Sequence, residues 1–350
     1  MRIKPPIAIL KSEIFRLGGL EKYARRLATL LTGKGHKVSL LSLGSSSPQN
    51  TQKLPFETIT GPFRNKASVF KILEFEQFCQ AYLKKNPHTI VFGLDRNRFQ
   101  THLRAGNGVH RAYLKRRAEV EPKWKELRHL VNPLHQLLLH FEKRAFEHPG
   151  LQVLYTNSHM VKAEILEYYK VEPAKIRVVH NGVEWQQLES SFAVWPEAKK
   201  YFLEKHGFDP SAFHLLFIAQ GFARKGLIQL LNALHLLKKH PFHLSVVGRD
   251  THALFYKEMA KRLGLSKKIS FFDSTDQIIP FYQMADALAI PSLYDPFANV
   301  TLEALSLGVR CISSKTNGAH EILNEKNGLI IESLLSPEAF AQSLKKYPTF

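Results

Sequence analysis

The stretch "HLLFIAQGFARKGLIQLL", His214–Leu231, settles the class of fold. Its first seven residues form an apolar, strand-like run, glycines bracket a short loop at Gly221 and Gly226, and leucines then recur at helical spacing in a helix expected to reach Lys239. "LSVVG" (Leu244–Gly248) follows as the next strand. Strand, glycine loop, helix and strand make a βαβ unit, and such a crossover requires a parallel sheet. The alternation continues toward the C-terminus. A helix over 253–263 is followed by the strand "ISFF" (Ile269–Phe272), a helix over 277–285, the strand "ALAIP" (Ala287–Pro291), a helix inside "YDPFANVTLEAL" (Tyr294–Leu305) and the strand "RCISS" (Arg310–Ser314).

The N-terminal half repeats the scheme. "IAIL" (Ile7–Leu10) leads into a loop ending in Gly18-Gly19, a helical pattern from Leu20 to Leu31 and the strand "KVSLLSL" (Lys37–Leu43). Further strands are expected at "TIVFGL" (Thr89–Leu94), "VLYTNS" (Val153–Ser158) and "IRVVHNGV" (Ile176–Val183). The polar segment Glu184–Pro210 reads as the connection. The expectation is an α/β protein of two Rossmann-like, doubly wound parallel-sheet domains, residues 1–187 and 188–350, facing across a cleft in which a ligand touches both. A length of 350 residues suits two cores.

With 44% hydrophobic residues and no apolar run near membrane-spanning length, no transmembrane helix is expected. The start "MRIKPPIAILKSEIF" is too short in apolar residues for a signal peptide, so a cytosolic location is expected. Cys79 and Cys311 lie far apart in amphipathic or apolar surroundings and read as reduced core thiols. Lys and Arg number 49 against 30 Asp and Glu, a net charge of +19 that favours phosphate-bearing partners: nucleic acid, an anionic bilayer or phosphorylated small molecules. No recognition helix, RNA-binding signature or zinc-finger spacing supports nucleic acid. Among the 17 histidines there is no HExxH and no Cys/His cluster, and the nearest approach to an acidic metal motif is the weak "DSTD" at Asp273–Asp276, so no metal is expected.

Two loops carry chemistry. In "FARKG", Arg224 and Lys225 stand at a strand-to-helix turn, where two cations, a glycine and free helix-start amides suit a diphosphate; a solvated charged turn has the same composition. In "YDPFANVTLEAL", Pro296 holds Asp295 extended, Asn299 is the expected cap, the amides of Val300 and Thr301 form an anion site, and Glu303 falls in the first or second turn. Acid, amides and acid fit a sugar nucleotide, with hydroxyls at both ends and a diphosphate between. An ordinary acidic helix start has the same residues.

"DPFANVTLEALSLG", with "FARKG", Gly18-Gly19, "VVHNGV" and "NGAHEIL…NGLII", resembles the retaining glycosyltransferases of family 4, which have the GT-B fold, and among them the bacterial lipopolysaccharide core glycosyltransferases of the core glucosyltransferase kind. The likeness spans about Ile7 to Glu332. It implies that Glu303 bonds the nucleotide ribose, Asp295 the donor-sugar hydroxyls, and Arg224 and Lys225 the diphosphate, which Gly19 lets the first-domain loop approach. Asp295 stands where the family usually has glutamate. The resemblance also brings His110, in "AGNGVHRAYL", beside the anomeric carbon, where a neutral imidazole would bond the donor sugar or position the acceptor.

The implied reaction is metal-independent transfer of a sugar, glucose from UDP-glucose as first choice, to a lipopolysaccharide core or other cell-envelope glycan. UDP-N-acetylglucosamine, GDP-mannose and ADP-heptose are alternative donors. The basic, aromatic-bearing segment Arg111–Arg128 would lie on the anionic inner-membrane surface or grip a lipid-linked or phosphorylated acceptor, and a solvated helical face would look similar. Rival readings are an epimerase or phosphorylase of the same fold, a nucleic-acid-binding protein and a non-catalytic scaffold. The resemblance further implies a last helix crossing back to the first domain, for which "SPEAFAQSLKKYPTF" leaves room only in abbreviated form.

Overall fold

In a computed structural model of the chain, residues 4–14, 19–44, 54–64, 67–124, 129 and 131–347 are described. They divide into two compact units, Met1–Val179 and His180–Phe350. The boundary expected at 187/188 falls inside the first helix of the second unit.

The first unit runs β1 (Ile7–Leu10), α1 (Gly19–Gly33), β2 (Val38–Leu43), β3 (Glu57–Gly61), α2 (Ser68–Lys85), β4 (Ile90–Gly93), β5 (His102–Arg104), α3 (His110–Ala118), α4 (Pro133–Phe146), β6 (Val153–Thr156), α5 (His159–Tyr168) and β7 (Ile176–Val178). Its strands form one parallel sheet in the order β3-β2-β1-β4-β5-β6-β7. All four residues of β1 are buried because the sheet is covered on both faces. Ile7 and Ile9 pack with Ala24 and Ala28 of α1, while Ala8 and Leu10, pointing the other way, pack with Phe75 and Cys79 of α2.

The second unit runs α6 (Trp185–Ala193), α7 (Trp195–His206), β8 (Phe213–Gln220), α8 (Leu227–Leu236), β9 (Phe242–Arg249), α9 (Ala253–Arg262), β10 (Ile269–Phe272), α10 (Ile279–Met284), β11 (Ala287–Ile290), α11 (Asn299–Ser306), β12 (Arg310–Ser314), β13 (Gly328–Ile331) and α12 (Pro337–Lys345). Its parallel sheet has the order β10-β9-β8-β11-β12-β13. The order reverses between β8 and β11, so the loops leaving these neighbouring strands diverge and open a crevice at their carboxyl ends.

One feature departs from the sequence reading. The polar segment expected to connect the domains folds as α6 and α7, and Phe202 and Leu203 of α7 enter the second unit's core. Leu188 of α6 and Phe208 pack partly buried against the same core. The last described helix, α12, packs Phe340, Ala341 and Leu344 into that same core against α8.

Candidate active site

The crevice of the second unit is built by two loops that brace each other. After β8 the chain turns through Gly221 and Gly226, both in the left-handed region at φ 76° and 83°. A Cβ on Gly226 would come within 1.8 Å of the Pro291 carbonyl oxygen, so only glycine lets this turn lie against the loop that follows β11. The Leu293 amide then donates to the Arg224 carbonyl at 2.9 Å, and the Phe222 amide donates to Asp250 Oδ2 at 2.6 Å. These bonds deliver Arg224 and Lys225 to Asp295.

Asp295 is 5% exposed, and both its carboxylate oxygens are engaged. Oδ2 accepts from Arg224 Nη1 at 2.9 Å and from Lys225 Nζ at 2.5 Å, while Oδ1 accepts from the Phe297 amide at 3.0 Å. Burial pushes its acidity toward the neutral form, but Lys225 and then Arg224 outweigh it and hold the carboxyl below its usual range. The expected sugar-binding acid and the expected diphosphate-binding cations are therefore one ion cluster. Lys225 is 9% exposed and faces inward, while the Arg224 side chain retains 38% of its exposure. Two cations around one carboxylate leave a surplus of about one positive charge at the mouth of the crevice.

The start of α11 lies beside this cluster. Ala298, rather than Asn299, occupies the cap position, and the capping oxygen comes from elsewhere in the chain. Asn317, fully buried, accepts from the Ala298 amide at 3.1 Å and the Ala319 amide at 3.2 Å through Oδ1, and its backbone pairs with Asp295. Asn299 is the first helical residue, and its Oδ1 accepts from Asn181 Nδ2 at 2.6 Å. The Thr301 amide donates to the Ala298 carbonyl, and Thr301 Oγ1 is buried without a partner among the described residues. Of the two amides expected to bind an anion, Val300's is the one without an acceptor among the described residues.

Glu303 sits one turn further along α11, half-buried, as its spacing predicts. Its Oε2 accepts from the hydroxyl of Tyr282 at 2.7 Å, a buried tyrosine of α10. Burial raises the Tyr282 hydroxyl's pKa well above its ordinary value, and Glu303 raises it further, so it stays a donor.

In the first unit His110 is the first residue of α3. Its amide donates to Glu142 Oε2 at 2.6 Å, and its ring Nε2 lies 3.1 Å from His135 Nδ1. Burial first, then Arg96 and His135, lowers its pKa to about 3, which makes the imidazole neutral at physiological pH. Glu142, fully buried on α4, also accepts from Arg96, from the Arg111 amide and from the Tyr169 hydroxyl. Gly19 is the first residue of α1, and Gly18 lies outside the described residues.

The basic segment 111–128 is described as far as Trp124, which is 61% exposed. Its cations are partly matched: Lys115 pairs with Glu167, Arg116 with Glu119 and Arg117 with Glu121. Among the described residues no helix is long and apolar enough to cross a membrane. Sequence reasoning missed Asn317, Tyr282, Glu142 and Asp250. The Asn-Gly pair at Asn317-Gly318 was a visible turn signal, whereas nothing local marks the other three.

A doubly wound sheet in each unit, with a cation-carboxylate cluster at the switch point of the second, defines a class of protein. Residues 17–187 match the family model Glycosyltransferase Family 4, and residues 199–348 match the model Glycosyl transferases group 1. Together the two models span most of the chain, which belongs to the GT-B glycosyltransferases.

Among individual proteins it is similar to the lipopolysaccharide glucosyltransferase WaaG of Escherichia coli strain K12, at 24% identity over 344 residues, covering 97% of this chain and 88% of the relative. The crystal structure of WaaG, a glycosyltransferase involved in lipopolysaccharide biosynthesis, matches with a TM-score of 0.76 at 22% identity, over 97% of this chain and 90% of that one. Anabaena Alr3699/HepE in complex with UDP-glucose matches with a TM-score of 0.68 at 13% identity, over 98% and 89%. At these identities the structural likeness shows the fold.

Proposed function

We propose that the enzyme transfers a hexose, glucose as first choice, with retention, from a UDP-sugar to a lipopolysaccharide core or other cell-envelope glycan acceptor, without a metal. The arrangement of Arg224, Lys225 and Asp295 beside the start of α11 carries this reading. When a nucleoside diphosphate leaves, negative charge grows on its bridging oxygen, and fixed cations that need no rearrangement stabilise that charge most. Arg224, the more exposed of the pair, takes the diphosphate directly, and Lys225 adds its field from beneath. The Val300 amide provides a further donor at a helix start. Glu303 takes the ribose. The names of similar proteins, a lipopolysaccharide glucosyltransferase and a protein crystallised with UDP-glucose, support glucose and UDP.

The neutral imidazole of His110 is suited to accepting or donating one hydrogen bond to a sugar hydroxyl without adding charge. Retention proceeds on one face of the sugar, with the leaving phosphate taking the acceptor's proton, so no protein nucleophile is assigned. The exposed Trp124 and the basic residues around it favour a cytoplasmic enzyme resting on the anionic inner face of the cytoplasmic membrane and acting on a lipid-linked or phosphorylated acceptor.

Calorimetry of the purified protein with UDP, GDP, ADP and their sugars, with and without EDTA, tests this. Selective, EDTA-insensitive binding of UDP and UDP-glucose that is lost in Glu303→Ala is expected. Selective binding of UDP-N-acetylglucosamine, GDP-mannose or ADP-heptose would replace the donor, and binding of none of them would sink the reading.

A further inference from the structure

We propose that Tyr282 is a positioning residue for recognition of the donor's ribose, acting through Glu303. The inference rests on the assignment of Glu303 to the ribose made above. Glu303 projects from α11 and is only half-buried, so by itself its long side chain would sample several rotamers and lose that freedom on binding. The structure ties one of its oxygens to a fixed point. Tyr282 is 1% exposed, and its hydroxyl donates to Glu303 Oε2 at 2.7 Å.

The ring cannot move to follow the carboxylate. Its neighbours on α10 are packed on both sides: Phe281 meets Phe202 and Phe272 edge to face, Met284 is fully buried, and Gln283 donates through Nε2 to the Ser191 carbonyl at 2.7 Å. The charge-assisted bond therefore fixes the carboxylate's direction and occupies a lone pair of Oε2, leaving Oε1 as the oxygen presented to a hydroxyl. A ribose that meets an already ordered acceptor binds more tightly than one that must order it.

The test uses the full chain and calorimetry with whichever of UDP, ADP or GDP binds most tightly, together with its 2′-deoxy and 3′-deoxy counterparts. In the wild type, removal of the hydroxyl that Glu303 holds weakens binding, and in Glu303→Ala that difference disappears. Tyr282→Phe is expected to weaken the ribonucleotide about five- to ten-fold while leaving the corresponding deoxynucleotide within about two-fold. In the Glu303→Ala background the same tyrosine change has no effect on either ligand.

A merely structural tyrosine would weaken ribonucleotide and deoxynucleotide alike, or would still act without Glu303, and either result overturns the proposal. No change in Tyr282→Phe overturns it as well. If Glu303→Ala leaves discrimination between ribose and deoxyribose intact, the assignment of Glu303 itself fails and the proposal falls with it. The double variant keeps the comparison valid even if loss of the hydroxyl lowers the melting temperature, because both ligands are then read on the same background.

Discussion

Lys225 Nζ lies 2.5 Å from Asp295 Oδ2, across 70 positions of sequence, and both side chains are nearly closed to solvent. A lysine so enclosed is tolerable only beside its counter-charge. Asp295→Asn keeps the shape of the side chain and removes that charge. Urea unfolding of this variant is expected to show a loss of about 3 kcal/mol, and kcat to fall about 100-fold as Arg224 and Lys225 lose their common anchor. The Asp295 carboxyl has a lowered pKa in the fold, so its contribution is fully present above its ordinary value of 3.8 and fades as pH falls through the lowered one.

Gly226→Ala tests the brace between the two loops. The residue stands at φ 83°, and its new Cβ would meet the Pro291 carbonyl oxygen. The backbone must shift, carrying Arg224 and Lys225 with it. A stability loss of about 3 kcal/mol or more in thermal or urea unfolding, with loss of nucleotide binding, is expected.

Burial lowers the pKa of several histidines and makes the fold sensitive to acid, two of them most strongly. Burial, then Arg96 and His135, lowers His110 to about 3, and burial, then His214 and Lys268, lowers His243 to about 4. Above the ordinary value of 6.5 neither ring distinguishes folded from unfolded chain. Below it the unfolded chain takes up protons that the fold refuses, so stability declines from about pH 6.5 toward the lowered values, by about 1 kcal/mol per ring after allowance for their partial exposure. Urea unfolding at pH 7.5, 5.5 and 4.5 measures the slope, and His243→Gln should make it shallower.

Glu142→Ala leaves the Arg96 guanidinium, two amides at the start of α3 and the Tyr169 hydroxyl without their shared acceptor. A destabilisation of about 3–5 kcal/mol is expected, with the α3 amides losing hydrogen-exchange protection first. Tyr169→Phe removes one donor only and should cost about 1 kcal/mol.

The sequence by itself determined the alternation of strands and helices, the two parallel sheets, the turn at Gly226 and the helix carrying Glu303. These follow from short-range causes: the period of apolar residues, the left-handed freedom of glycine and the restriction that Pro296 places on Asp295. Strands β3, β5 and β13 escaped notice because "ETITG" is largely polar, while "HLR" and the apolar part of "GLII" span three residues each, too few for any period to show. Tertiary structure alone decided which charges meet. It turned Asp295 onto Arg224 and Lys225, brought Asn317 to the start of α11, set Glu142 under α3 and placed the Tyr282 hydroxyl on Glu303. The cause is burial: a polar group taken out of water must find a partner wherever the fold provides one, and distance along the chain does not enter that requirement.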